Sequence, residues 1–142
     1  MPMNSVGAIT LFVENLERSK LFYEDVFSVP VLFEDSSSAA FKFQNTIINL
    51  LAVAAAGELI EPAAVAGPEA GARFQLTAWV DDVDAVCKQL TSRGVTLLNG
   101  PLDRAWGKRT ASFVDPDGAI WEIAQDLPSS DSERQPTGVP SS

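Results

Sequence analysis

The sequence predicts an α+β fold in which two copies of a βαβββ module share one domain. The main observation is an internal repeat, because the segment Ile9–Lys20, ITLFVENLERSK, is echoed by Leu76–Lys88, LTAWVDDVDAVCK. In each copy an alternating strand ends at a Val and runs into an amphipathic helix. A second pair of apolar segments, Thr46–Ala52 and Ala119–Gln125, closes the two halves. A repeat that cannot bury its own apolar face must pair with its copy, which favours one domain.

The first module begins with a strand at Ile9–Val13, where residues alternate in polarity. Asn15 is the predicted N-cap of the following helix, and Glu17 lies in the first turn, where the helix dipole favours an anion. The apolar stripe of this helix comprises Leu16, Ser19, Phe22, Tyr23 and Val26. Three short strands separated by turn residues are predicted at Pro30–Phe33, Ala39–Phe43 and Ile47–Val53.

The second module repeats this order. Phe74–Val80 is a predicted strand, Asp82 is a predicted N-cap, and Gly94 stands where a left-handed C-cap belongs. The helix stripe comprises Val83, Val86, Cys87 and Leu90. The remaining strands are predicted at Val95–Leu98, Arg109–Val114 and Ala119–Gln125.

These elements divide the chain into one domain and a tail. Within residues 1–127, module one spans 6–53 and module two spans 73–126. The connection 54–72 is rich in Ala, Gly, Pro and Glu, and we expect it to be irregular with at most one helical turn. It is either a plain linker or, as long loops often are, part of a pocket wall. Residues 128–142, PSSDSERQPTGVPSS, are predicted to be a disordered tail.

Composition excludes several classes of function. The chain of 142 residues has a net charge of −9, which argues against binding to nucleic acid and to anionic membrane surfaces. We find no apolar run long enough to span a bilayer and no basic segment followed by an apolar one at the N-terminus, so we expect a cytoplasmic protein. The single cysteine, Cys87, is predicted to be a buried structural thiol.

The absence of histidine limits the chemistry further. Histidine is the commonest metal ligand and the side chain whose pKa best suits acid–base catalysis near neutrality. Mechanisms of the Ser-His-Asp or Cys-His type are therefore excluded.

Two short motifs carry a resemblance to a known family. Val13–Tyr23 fits the pattern V-x-[DN]-L-x-[RK]-S-x-x-F-Y, and Phe113–Glu122 fits F-x-DPDG-x-x-x-E. The DPDG segment itself is a predicted hairpin turn, because Pro presets φ at the second turn position and Gly supplies a positive φ. A calcium loop is not expected, because no further liganding residues follow at the right spacing. Over Val6–Asp126 the chain resembles the vicinal oxygen chelate superfamily, also called the glyoxalase/bleomycin resistance/dioxygenase family.

The resemblance implies a fold, an assembly and a set of site positions. In that family two βαβββ modules form an open cup-shaped β-barrel, and members often form homodimers. The four metal-ligand positions of the metal-dependent members fall on Ala8, Asn49, Gln75 and Glu122 of this chain. Only Glu122 is a residue type usual at its position. Such a donor set suits neither a transition metal nor a hard cation, so we expect no metal and no cofactor.

Strand alternation then predicts the lining of a small-molecule site. The candidate ligand-binding residues are Phe12, Asn49, Gln75, Trp79, Trp106, Arg109 and Glu122. Trp106 and Arg109 are included because they lie at the start of the seventh strand, where an indole could stack on a planar ligand and a cation could meet an anion. Competing interpretations remain open: Phe12 and Trp79 could be ordinary core residues, and Trp106 could stand in an exposed loop. Glu122 could instead be a relic hydrogen-bonded to Gln75 or Asn49. Which of Lys108 and Arg109 points inward is undecided, because Gly107 could introduce a bulge.

Three functions fit these residues. The first is a metal-free protein that binds a small molecule in an apolar and aromatic cup, as the drug-sequestering members of the family do. The second is a metal-dependent lyase, isomerase or dioxygenase, against which the missing histidines argue. The third is metal-free proton transfer with Glu122 as the base.

Overall fold

The computed structural model describes residues 3–128, so the predicted tail lies outside the described residues except for Pro128. The helices and strands follow one another along the chain as β1 (Ala8–Val13), α1 (Leu16–Phe27), β2 (Val31–Glu34), β3 (Ser38–Lys42), β4 (Ile47–Ala52), α2 (Val53–Ile60), β5 (Gln75–Trp79), α3 (Val83–Ser92), β6 (Leu97–Asp103), β7 (Lys108–Val114) and β8 (Ile120–Asp126). The predicted α+β class with two βαβββ modules is confirmed.

None of the helices in the described part of the chain is both long and apolar enough to cross a membrane.

The described chain forms two compact units. Unit 1 comprises residues 3–73 together with the turn Asp115–Ala119, and unit 2 comprises residues 74–114 and 120–128. The turn that joins the last two strands of the second module thus packs with the first module.

Unit 1 contains a four-stranded sheet in the order β1-β4-β3-β2, with β1 parallel to β4 and the other pairs antiparallel. Alternation buries Leu11 and Val13 on one face, while Thr10 stays exposed on the other. Helix α1 covers the buried face, and its Tyr23 ring lies 6.0 Å from that of Phe41. The predicted N-cap is confirmed, since the Asn15 side chain accepts from the Arg18 N–H at 3.0 Å.

The connection between the modules is more ordered than its composition predicts. Helix α2 makes two turns at its start, where at most one was expected. The run Val53-Ala54-Ala55-Ala56 explains the difference, because alanine has the highest helix propensity and Ala56 is fully buried. The helix ends before a cis Glu61–Pro62 peptide bond.

Unit 2 contains the second four-stranded sheet, in the order β5-β8-β7-β6 with β5 parallel to β8. Helix α3 covers one face and buries Val83, Cys87 and Leu90. Both predicted caps are confirmed. The Asp82 side chain accepts from the Ala85 N–H at 3.1 Å, and Gly94 has φ +83° with the hydrogen bonds of a Schellman motif.

Strand β6 differs from the prediction, which ended it at Leu98. The strand starts two residues later and continues through the cis Gly100–Pro101 bond to Asp103. Proline is tolerated there because β6 is an edge strand, and the pairing with β7 shifts register on both sides of Asn99. Gly100 has φ +88°, and a Cβ atom on it would lie 2.5 Å from the Thr110 carbonyl oxygen.

We expect Gly100→Ala to lower the free energy of unfolding by about 3 kcal/mol, since both backbone strain and a backbone clash oppose the methyl group. Gly94→Ala is the matched control, because Gly94 also has positive φ but open space around its Cβ position. There we expect a loss of about 1–2 kcal/mol. Urea unfolding of both variants measures the difference, and equal losses would show that the close approach to Thr110 is unimportant.

The predicted DPDG hairpin turn is present between β7 and β8. The Asp115 N–H donates to the Ala119 carbonyl at 2.9 Å, and Gly118 has φ +92°. The turn also accepts hydrogen bonds from two side chains of α1. The Tyr23 hydroxyl donates to Asp115 Oδ2 at 2.7 Å, and the Ser19 hydroxyl donates to Asp117 Oδ2 at 2.8 Å. The two motifs of the resemblance are therefore in direct contact with each other.

Candidate functional site

The candidate site lies on the face of the unit 2 sheet that points away from α3. Cross-strand register arranges alternate residues of this face in rows. The first row comprises Asn99, Ser112, Glu122 and Thr77, and the second comprises Leu102, Thr110, Ala124 and Trp79. We call this surface the Glu122 face. It places one carboxylate in a row of hydroxyl and amide side chains.

Glu122 is buried without a cationic partner. Only 5% of its surface is exposed, and Oε1 accepts a hydrogen bond of 3.0 Å from the Thr77 hydroxyl. Among the residues that the structure describes, no other side chain hydrogen-bonds or ion-pairs with it. No fully buried side-chain oxygen in residues 3–128 lacks a hydrogen-bond partner, so the second oxygen of Glu122 keeps some access from outside. One oxygen of Glu122 is therefore available to a further donor.

The partner of Glu122 differs from the one predicted for a relic. That interpretation required a hydrogen bond to Gln75 or Asn49, but the bond comes from Thr77. Gln75 occupies the Glu122 face as an alternate residue of β5, in register with Ile120, and is exposed. Thr77 was not predicted as this partner, because the resemblance directs attention to the first residue of the strand, whereas register places the third beside Glu122.

The structure shows which of the side chains of Lys108 and Arg109 lies on the Glu122 face. Lys108 lies on the Glu122 face, where it ion-pairs with Asp126 and its Nζ is 5.5 Å from the centroid of the Trp79 ring. Arg109 points to the opposite face and binds Asp84 of α3 at 3.0 Å and Asp103 at 2.8 Å. Those hydrogen bonds raise its pKa further above the usual range. The structure thus places Arg109 away from the other candidate residues of unit 2.

A second cation, Arg104, was missed from the sequence. Its Nε donates to the Thr110 hydroxyl at 2.9 Å, and its Nη2 donates to Asn99 Oδ1 at 3.4 Å. Its guanidinium carbon lies 5.8 Å from the centroid of the Trp106 ring, so predicted candidate Trp106 stands at the edge of the same face. The sequence signal that could have indicated the contact between Arg104 and Trp106 is their spacing of two residues just before the seventh predicted strand.

The remaining candidates belong to unit 1. Asn49 lies in register with Thr10 and donates to its hydroxyl at 3.5 Å, the upper limit for a hydrogen bond. By strand alternation Ala8 and Phe12 share this face; Ala8 is exposed and Phe12 is half-buried. At the matching positions of the two sheets, Thr10 accepts a hydrogen bond from Asn49, whereas Thr77 donates one to Glu122. A role of Phe12 or Asn49 in ligand binding stays a prediction.

The four positions implied for a metal do not fit one. Ala8 has no donor atom in its side chain, Asn49 is directed to Thr10, and Glu122 shares one oxygen with Thr77. Within residues 3–128, no group of three or more His, Cys, Asp or Glu side chains could hold a metal ion. Transition metals favour imidazole or thiolate donors and hard cations favour several carboxylates, so we derive no chemical step through a metal here.

Comparison with known proteins gives the family. The sequence profile described as the glyoxalase-like domain matches residues 6–128. A relative in Bacillus subtilis (strain 168), described as the uncharacterized protein YraH, is 34% identical over 120 residues, which cover 81% of this chain and 93% of the relative. The chain therefore belongs to the glyoxalase-like domain family and, with it, to the vicinal oxygen chelate superfamily.

Solved structures agree on the fold. A glyoxalase/bleomycin resistance protein/dioxygenase from Nocardioides has a TM-score of 0.82 at 20% identity, with 96% of this chain and 92% of that chain covered. A glyoxalase-related enzyme from Fulvimarina pelagi has a TM-score of 0.75 at 23% identity, covering 87% and 89%. At these identities the likeness shows a common fold and leaves the function to the site.

Proposed function

We propose that this chain is a small-molecule-binding protein that holds its ligand at the Glu122 face without a metal ion. The observation that carries the proposal is the buried carboxylate of Glu122, which receives a single hydrogen bond within the described chain. An ionised carboxylate can accept several hydrogen bonds. A ligand that donates an N–H or O–H to the second oxygen would make a charge-assisted hydrogen bond in a largely buried position, where such bonds are stronger than in water.

The surroundings of Glu122 support a ligand with an apolar body. Trp79 is 56% exposed and Trp106 is 47% exposed, although indole rings are usually mostly buried. Leu102 adds an aliphatic side chain to the same face. A few placed polar groups among aromatic and aliphatic ones are the usual composition of small-molecule sites. Binding without turnover would resemble the drug-sequestering members of the superfamily.

The alternative is catalysis, and one feature favours it. A carboxylate with a free oxygen could remove a proton from a bound ligand, as a lyase or isomerase without metal requires. The two functions differ in what happens to the ligand. In the first, bound compound is recovered unchanged, and in the second, it is converted in a reaction that needs the Glu122 carboxylate.

We expect purified protein to contain no stoichiometric metal and to be stabilised by aromatic compounds that carry a hydrogen-bond donor. Elemental analysis tests the first statement, and a thermal-shift screen followed by native mass spectrometry tests the second. Trp79→Ala should abolish the stabilisation by the screening hits. Leu21→Ala, which truncates an exposed apolar residue on α1, is the control and should leave it unchanged.

Either of two results would contradict the proposal. One is tightly bound metal at one equivalent per chain. The other is full ligand binding by Trp79→Ala.

The expectations of a homodimer and of a cytoplasmic location stay predictions.

A further inference from the structure

Arg104 is held in place by neutral groups, unlike four other cations of the described chain, which have carboxylate partners. Arg18, Lys20, Lys108 and Arg109 each lie within 4.0 Å of a carboxylate. The partners of Arg104 are a hydroxyl, an amide oxygen and an indole ring, all of them neutral. Within residues 3–128 no carboxylate ion-pairs with it, although the chain carries 19 acidic residues against 10 basic ones.

The neutral partners fix the guanidinium and leave much of it free. Nε and Nη2 each donate one hydrogen bond, and Thr110, which receives the first, is fully buried. The Nη1 group has no acceptor in the described part of the chain. A planar fork of donors held in one orientation matches a carboxylate or phosphate and loses little entropy on binding it.

The position of this cation relates it to Glu122. Asn99 and Glu122 stand in the same row of the sheet, two strands apart, which corresponds to about 10 Å. Arg104 reaches over this row and the next, because it bonds to Asn99 in one and Thr110 in the other. One face of one sheet therefore carries an anionic acceptor and an unpaired cationic donor at a separation that a two-ring compound can span.

We propose that Arg104 and Trp106 form an anion subsite that binds the carboxylate or phosphate group of a planar organic ligand. This inference rests on the proposed function, since the same ligand meets Glu122 with its donor end. The exposed indole of Trp106 contacts the planar part, and the free N–H groups of Arg104 bind the anion. The ligand class is thus an aromatic acid or aromatic phosphate ester.

Isothermal titration tests the subsite with three matched probes that carry the same phenolic O–H donor for Glu122: 6-hydroxy-2-naphthoate, 6-hydroxy-2-naphthyl phosphate and the neutral 6-hydroxy-2-naphthamide. We expect wild-type protein to bind at least one of the anions about tenfold more tightly than the amide, as one charge-assisted contact implies. Whichever anion binds more tightly shows whether the subsite prefers a carboxylate or a phosphate group. Arg104→Gln should remove the preference without weakening the amide, and Arg109→Gln, the control on the opposite face, should retain it.

Several results would overturn the subsite. These are equal affinity of wild-type protein for the anions and the amide, equal weakening of all probes in Arg104→Gln, or loss of the preference in Arg109→Gln. If Arg104→Gln does not fold, Arg104→Lys is tested instead. It keeps the positive charge but loses the planar guanidinium, so it should reduce the preference for the anions over the amide. Binding of the amide that depends on Trp79 would uphold the proposed function even if the anion preference fails.

Discussion

Replacing Tyr23 by Phe should lower the free energy of unfolding by about 2 kcal/mol near neutral pH, because it leaves a buried carboxylate without its hydroxyl donor. The Tyr23 side chain is fully buried, and its hydroxyl lies 2.7 Å from Asp115 Oδ2. Asp115 is only 3% exposed, and its Oδ1 accepts from the backbone N–H groups of Asp117 and Ala119. Because both residues are almost inaccessible, solvent is poorly placed to replace the missing donor.

The loss should depend on pH in a definite direction. Burial raises the pKa of Asp115 above its ordinary value of 3.8, while the Tyr23 hydrogen bond acts to lower it. Between the ordinary value and the raised pKa the folded state binds more protons than the unfolded state, so the contribution of Asp115 to stability falls as pH rises. Removing Tyr23 raises this pKa further, so the loss in Tyr23→Phe is largest when Asp115 is ionised and shrinks in acid.

Urea unfolding of wild-type protein and Tyr23→Phe, near neutral pH and near pH 4, measures this difference. Asp115→Asn supplies the control background, since without the ionisable carboxylate the effect of Tyr23→Phe should lose most of its pH dependence. A loss of stability that is the same at both pH values in the native background would contradict the role given to Asp115.

Replacing Glu122 by Gln should have opposite effects on binding and stability. We expect the affinity for ligands that donate to Glu122 to fall about tenfold or more, because a charge-assisted hydrogen bond is replaced by a neutral one. We expect the free energy of unfolding to stay the same or to rise by about 1 kcal/mol, because a buried charge without a cation is removed. Such a combination is typical of a residue retained for function at the expense of stability.

Calorimetry with the hits from the thermal-shift screen and urea unfolding give the two quantities. Glu58→Gln, which alters an exposed carboxylate on α2, is the matched control and should change neither. If Glu122 is a structural relic, the result is reversed: the variant loses stability and keeps full affinity. If Glu122 is a catalytic base, affinity is kept and turnover is lost.

The local features of the fold were predictable because their physical causes are local. Alternation along Ala8–Val13 and the caps at Asn15, Asp82 and Gly94 depend on neighbouring residues, and each is where the sequence indicates. The predicted end of β6 was wrong because Gly-Pro normally interrupts a strand. An edge strand with a shifted register accommodates it.

The site was only partly predictable, for a different reason. Glu122 and Trp79 follow from strand alternation and the family resemblance, and Trp106 follows from its position just before the seventh strand. The roles of Thr77 and Arg104 depend on cross-strand register and on a side chain that reaches over an irregular edge. Neither is encoded by spacing along the chain. The contact between Tyr23 and Asp115 likewise joins two motifs that the sequence presents as separate.

The most direct test of ligand binding at the Glu122 face without a metal is a single titration. The strongest hit of the screen is titrated into wild-type protein that has been treated with a chelator, and in parallel into Glu122→Gln. We predict that chelated wild-type protein binds the compound with unchanged affinity and that the variant binds it about tenfold or more weakly. Loss of binding on chelation with recovery on adding metal back, or equal binding by the variant, would contradict the account.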